Sequence, residues 1–202
     1  MSKPKPKPDD LKMFVDEFKI DNDRAAVVLG AAKIDELLYK ILGKFLKPPA
    51  KKDEDILDSD GPLGTFSARI HAVQRLGLLD DTFCRALHLI RKIRNGFAHV
   101  AEAASLNQDP HRNRVIALVF PIEHTKQYQG VKGYHFQKPI NHSQAFKACL
   151  VIIVARLSKA YSTTECLEKP TEPLPFLDPE CKTVKLRPKT SVRAINKRRP
   201  LV

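Results

Sequence analysis

Three residues with usable chemistry stand close together near the middle of the chain: Arg94, Asn95 and His99, in the run Ile90-Arg91-Lys92-Ile93-Arg94-Asn95-Gly96-Phe97-Ala98-His99. An imidazole exchanges protons near neutral pH, because its ordinary pKa is ~6.5, and a guanidinium holds an anion in a planar fork of donors without a metal. Five positions along a helix turn Arg94 about 140° away from His99, at ~100° per residue, so one copy of the helix does not by itself bring the two together. The same residues have a structural use. Arg94 can pair with an acid on a neighbouring helix, and Asn95 and His99, four apart on one face, can close the helix end and bond to the loop that follows.

Other candidates carry less. Arg69 and Arg75 can extend a basic face, although solvated or paired arginines are the plainer reading. His71, His88, His111, His124, His135 and His142 form no H-E-x-x-H or H-x-H constellation, and Cys84, Cys149, Cys166 and Cys181 form no C-x-x-C pair, so neither a metal nor another cofactor is expected. Gly61-Pro62-Leu63-Gly64 lacks the Lys-Ser/Thr of a phosphate-binding P-loop and reads as a turn. A nucleophile elbow and a dinucleotide fingerprint are both missing, which argues against a conventional metabolic enzyme.

The elements that must position these residues follow from hydrophobic spacing. Leu11, Phe14, Val15 and Phe18 predict a short amphipathic helix. Asp21 or Asn22 can cap a long second one, whose expected stripe is Ala25, Val28, Leu29, Ala32, Leu37, Leu38, Ile41, Leu42 and Phe45, ended by Pro48-Pro49. Thr65 can cap a helix with Phe66, Ile70, Val73 and Leu76 inward, and Gly77 stands where a left-handed cap belongs. Asp80 or Asp81 then opens the helix of the Arg94 motif, with Phe83, Leu87, Ile90, Ile93 and Phe97 inward. Residues 115–122 are apolar and β-branched and read as a strand; with Gly130 and Gly133 flanking a turn before Tyr134-His135-Phe136, a small β-hairpin over 115–137 is allowed. Residues 143–160 return to helix, with Phe146, Cys149, Ile152, Ile153 and Leu157 available for burial. The expected fold is mainly α: a single-domain helical bundle over residues 9–162, between a Lys/Pro arm (1–8) and a Pro-rich, then basic, tail (163–202).

The net charge of +12 favours acidic or phosphate-bearing partners. Much of it lies in the tail, where Lys182, Lys185, Arg187, Lys189, Arg193, Lys197, Arg198 and Arg199 occur without an acid and are candidates for touching DNA or RNA. The longest apolar run, residues 148–155, is far below the ~20 residues a bilayer requires, so no membrane partner is expected. Widely spaced cysteines fit a reduced, cytoplasmic protein.

Leu57-Asp58-Ser59-Asp60-Gly61-Pro62-Leu63-Gly64, followed by Ser67, Arg69, Ile70 and Leu76-Gly77-Leu78, resembles the central block of mannitol operon repressor-like proteins. The resemblance covers residues 28–99, with a looser likeness of layout as far as residue 160, and both tails fall outside it. It implies a mostly helical fold without a helix-turn-helix reader, in a regulator of sugar-alcohol uptake that works through protein partners.

Arg94-Asn95-Gly96-Phe97-Ala98-His99 also fits the R-N-x-x-x-H signature of HEPN domains, helical and commonly dimeric proteins that include many ribonucleases. That second resemblance implies metal-independent RNA cleavage, with His99 as base or acid at the 2′-hydroxyl, Arg94 as the phosphate-binding cation and Asn95 orienting either. It also implies a homodimer, in which two such helices meet to complete the site. The longer block favours the regulator, acting through protein and nucleic-acid contacts; the ribonuclease, a toxin or defence component, is the alternative.

Overall fold

The computed structural model describes residues 22–49, 51, 55–99, 104–135 and 140–167, all within one compact unit that ends at Leu167. The predicted helix around Leu11 to Phe18, the Lys/Pro arm and nearly all of the 163–202 tail lie outside the described residues. The described part is a helical bundle, and none of it is a strand.

Helix α1 runs Asp23–Phe45, and Asn22 caps it by accepting the Ala25 N–H at 3.2 Å. Its buried face is Ala26, Val27, Gly30, Ala31, Ile34, Leu37, Leu38, Ile41 and Leu42. The second half agrees with the expected stripe, but the first half is rotated: Val28 and Leu29 are each 45% exposed. Small residues explain the difference. A Cβ on Gly30 would stand 2.5 Å from Leu150 Cδ1, so this face was selected by how closely a neighbouring helix can approach rather than by side-chain hydrophobicity.

Helix α2, Phe66–Arg75, begins where Thr65 Oγ1 accepts the Ala68 N–H, and buries Ile70 and Val73. It ends in a Schellman turn: Gly77 has φ +68°, its N–H reaches the Gln74 carbonyl, and the Leu78 N–H reaches that of Val73. The turn ahead of α2 is held by close backbone contacts. Cβ atoms on Gly61 and Gly64 would lie 2.6 Å and 2.3 Å from the carbonyl oxygens of Ile56 and Asp58. Arg69 clamps this turn to α1, donating to Asp35 Oδ1 at 2.8 Å and to the Leu57 carbonyl at 3.0 Å, with Tyr39 beneath its guanidinium. Arg69 is therefore paired and is not part of a free basic face.

Helix α3, Asp81–His99, starts where Asp80 accepts the Phe83 N–H, and buries Leu87, Ile90, Ile93 and Phe97 as its periodicity predicts; in the first turn Cys84 is buried instead, and Phe83 is half-buried. Three helices follow: α4, His111–Val119; α5, Lys126–His135; and α6, His142–Thr163. Asn141 and Gln144 form a capping box at the start of α6. This helix is apolar on nearly every side from Ala145 to Val154 and is covered by α1, α4 and α5.

That demand for cover corrects the β-hairpin expectation. Residues 115–122 have strand-like composition, yet Val115 and Leu118 are buried three apart, as on a helix, while Ile116 and Phe120 face outward. Tertiary packing overrides local β-propensity here. Gly130 and Gly133, expected to flank a turn, lie inside α5, and nothing stands within 4 Å of a Cβ added at either. Gly130→Ala and Gly133→Ala are therefore expected to raise stability by about 0.5–1 kcal/mol each, read as a higher urea midpoint.

Asp23 ties three segments of the bundle together. Its carboxylate accepts the Leu106 N–H at 2.8 Å and the hydroxyls of Ser105 and Ser143, joining the start of α1, the connection that precedes α4 and the first turn of α6.

Candidate functional site

The last two turns of α3 carry the Arg94 motif, and the register that buries Ile90, Ile93 and Phe97 sets its direction. Arg94 and His99 are exposed and Asn95 is half-buried. Arg94 Nη1 donates to Asn95 Oδ1 at 3.2 Å. Among the described residues Arg94 has no acidic partner and His99 makes no hydrogen bond; the loop that follows, residues 100–103, lies outside them. Nor does one chain bring Arg94 and His99 into contact, as their five-residue separation anticipates.

Gly96 has a different role. A Cβ there would stand 2.3 Å from His111 Cε1, and the His111 ring packs on Phe97 with centroids 4.7 Å apart. His111 is 6% exposed, and its Nδ1 is buried without a hydrogen-bond partner. Burial first, and then the charge of Arg114, lowers its pKa. The sequence offered no signal for this contact, since His111 opens a helix that composition assigned elsewhere.

The outer side of α3 is cationic. Arg85, Lys92 and Arg94 are exposed and His88 and Arg91 are half-buried, while the helix has a single acid, Asp81 in its first turn, which accepts from Gln74 at 2.8 Å. None of Arg85, Arg91, Lys92 or Arg94 is in an ion pair among the described residues. Arg114 of α4 extends the face by donating to the Lys92 carbonyl at 3.3 Å. On its α2 side, the rings of His71 and His88 lie 4.8 Å apart.

His88 titrates below the ordinary histidine value of 6.5, first because of burial and then because His71, Arg91 and Lys92 disfavour another positive charge. The folded chain thus takes up this proton later than the unfolded chain as pH falls, and the same holds for His111. Stability is expected to drop from pH 7.5 to pH 5.5, beginning near 6.5, with a smaller drop in His88→Gln. Urea midpoints at the two pH values check this.

Among the described residues no group of three or more His, Cys, Asp or Glu side chains could hold a metal, and no helix is long and apolar enough to cross a membrane. Cys84 and Cys149 are buried, their thiols pushed up to about 11 and about 12, chiefly by burial, and Cys166 is exposed; all three are free. Cys181 and the tail cations Lys182, Lys185, Arg187, Lys189, Arg193, Lys197, Arg198 and Arg199 lie outside the described residues. No family model, curated protein or solved structure matches this chain.

Proposed function

We propose that the protein is a regulator of the mannitol operon repressor kind, acting by contact rather than by turnover, and that the outer side of α3 is its contact surface. The observation that carries this reading is the run of exposed cations from Arg85 to Arg94, without an acid after Asp81 and without an ion pair among the described residues. Arg85 and Lys92 share one side of α3 and Arg94 lies about 160° round from Lys92, so unpaired cations flank the whole solvent-facing half of the helix, which suits a partner with a run of negative charge. A nucleic-acid backbone provides one, and so does an acidic protein segment. Titration of the full chain with a labelled 30-nucleotide RNA, a 30-base-pair DNA and poly-glutamate separates these partners. Saturable, salt-sensitive binding of at least one is expected; no binding of any at 50 mM salt removes the reading.

A second reading, the HEPN-type ribonuclease, is favoured by one observation: His99 is exposed and makes no hydrogen bond among the described residues, and Arg94, five positions earlier, is open to solvent. In that reading two copies of α3 meet, so that Arg94 of one and His99 of the other flank a phosphate. Cleavage of labelled single-stranded RNA and tRNA in EDTA, by wild type and by folded His99→Ala and Arg94→Ala variants, decides it. Cleavage lost in both variants establishes catalysis. No cleavage by any of the three leaves the contact-acting regulator.

A further inference from the structure

Away from α3, a cavity of about 420 Å³ opens between α4, α5 and the first turns of α6. That volume lies in the range of small-molecule sites, roughly 300–1,000 Å³. One wall is apolar, built from Ile116, Val119, Phe120 and Ile140. Phe120 is 72% exposed and Ile116 49%, and Phe120 is the most exposed large apolar side chain among the described residues.

The polar side of the cavity is mixed, with Gln129 and Asn141 beside the charged and imidazole groups. Lys132 and His142 line it. Its acid, Glu123, is engaged by His124 Nε2 at 3.0 Å. Lys132 is half-buried and has no ion pair or hydrogen bond among the described residues. Tyr128, 3% exposed, forms part of the wall; burial first, and then Cys149 and Glu123, push its hydroxyl up to about 12, so it remains a neutral donor.

We infer that this cavity is a binding site for a small aromatic carboxylate, with the ring against Phe120 and Ile116 and the carboxylate on Lys132. An aromatic ring covers the exposed apolar wall, and a carboxylate gives Lys132 the anionic partner that it lacks among the described residues. A polyol fits poorly, because each of its hydroxyls needs a polar partner and one whole wall offers none. The site shares no residue with the α3 face, so it stands or falls independently of the proposed function.

The test is calorimetric titration of the full chain with salicylate, benzyl alcohol and mannitol, repeated on Lys132→Gln and Phe120→Ser. Both side chains are at least partly exposed, and circular dichroism confirms that the variants are folded. Saturable binding of salicylate is expected, roughly tenfold tighter than benzyl alcohol, with mannitol silent and roughly a tenfold loss in each variant. Equal binding of salicylate and benzyl alcohol, unchanged affinity in both variants, tighter binding of mannitol, or no saturable binding at all would overturn the assignment.

Discussion

Phe97→Ala is expected to lose about 3–5 kcal/mol of stability, the cost of a large aromatic removed from a closed core. Phe97 is fully buried and packs against the tilted His111 ring, while the backbone of Gly96 beside it leaves no room for that ring to move inward. The variant thus leaves a cavity and removes the contact that seats a buried imidazole whose Nδ1 already has no partner. Against a total of about 5–15 kcal/mol for a domain, the loss is a large fraction. A urea midpoint lower by a third or more is the result to look for. A change under about 1 kcal/mol would mean that the α3–α4 contact contributes little. Within the R-N-x-x-x-H run, then, Gly96 and Phe97 belong to the core, and only the residues around them are available to a partner.

The second large effect concerns binding. The triple variant Arg91→Glu, Lys92→Glu, Arg94→Glu replaces three cations on the outer side of α3 by three anions, on a helix whose buried residues are untouched. If this face meets a polyanion, three attractions become three repulsions. Affinity at 50 mM salt is expected to fall by at least about a hundredfold, since phosphate contacts dominate such affinities. Stability is expected to change by about 0.5 kcal/mol or less at the exposed Lys92 and Arg94, and by more at Arg91, which is half-buried with its Nε covered, so circular dichroism confirms that the variant is folded. A variant that binds as the wild type does would place the contact elsewhere.

Much of the framework could be read from spacing alone. The apolar residues of α2, α3 and α6 recur at helical intervals, and Asn22, Thr65 and Gly77 mark helix ends by local chemistry that needs no knowledge of the rest of the chain. The face of α1 was less legible in its first half. There Ala26, Gly30 and Ala31 win burial because Leu150, 120 residues away from Gly30 in sequence, packs against the gap left by a missing Cβ. Residues 115–122 were misread for a related reason: a β-branched composition says what a segment tolerates, whereas the all-round apolar surface of α6 decides what must cover it.

The candidate site was legible as residue types but not as an arrangement. Arg94 and His99 announce themselves, yet their exposure depends on which side of α3 meets α1 and α2. Arg69, read from sequence as one arginine among several, is the clamp on the Gly61 to Gly64 turn, so part of the block that resembles the mannitol operon repressor-like proteins has a structural role here. The pairing of His71 with His88, and of Gly96 with His111, joins residues on different helices and leaves no periodic trace.

Contact between the outer side of α3 and a polyanion makes affinity depend on salt. Log affinity for a 30-nucleotide RNA is measured against log salt for wild type and for the Arg91→Glu, Lys92→Glu, Arg94→Glu variant. Each phosphate neutralised on a single strand contributes about −0.7 to the slope, so removing three contacts is expected to make it shallower by about 2. The same slope and the same affinity in both proteins would mean that α3 does not meet the polyanion.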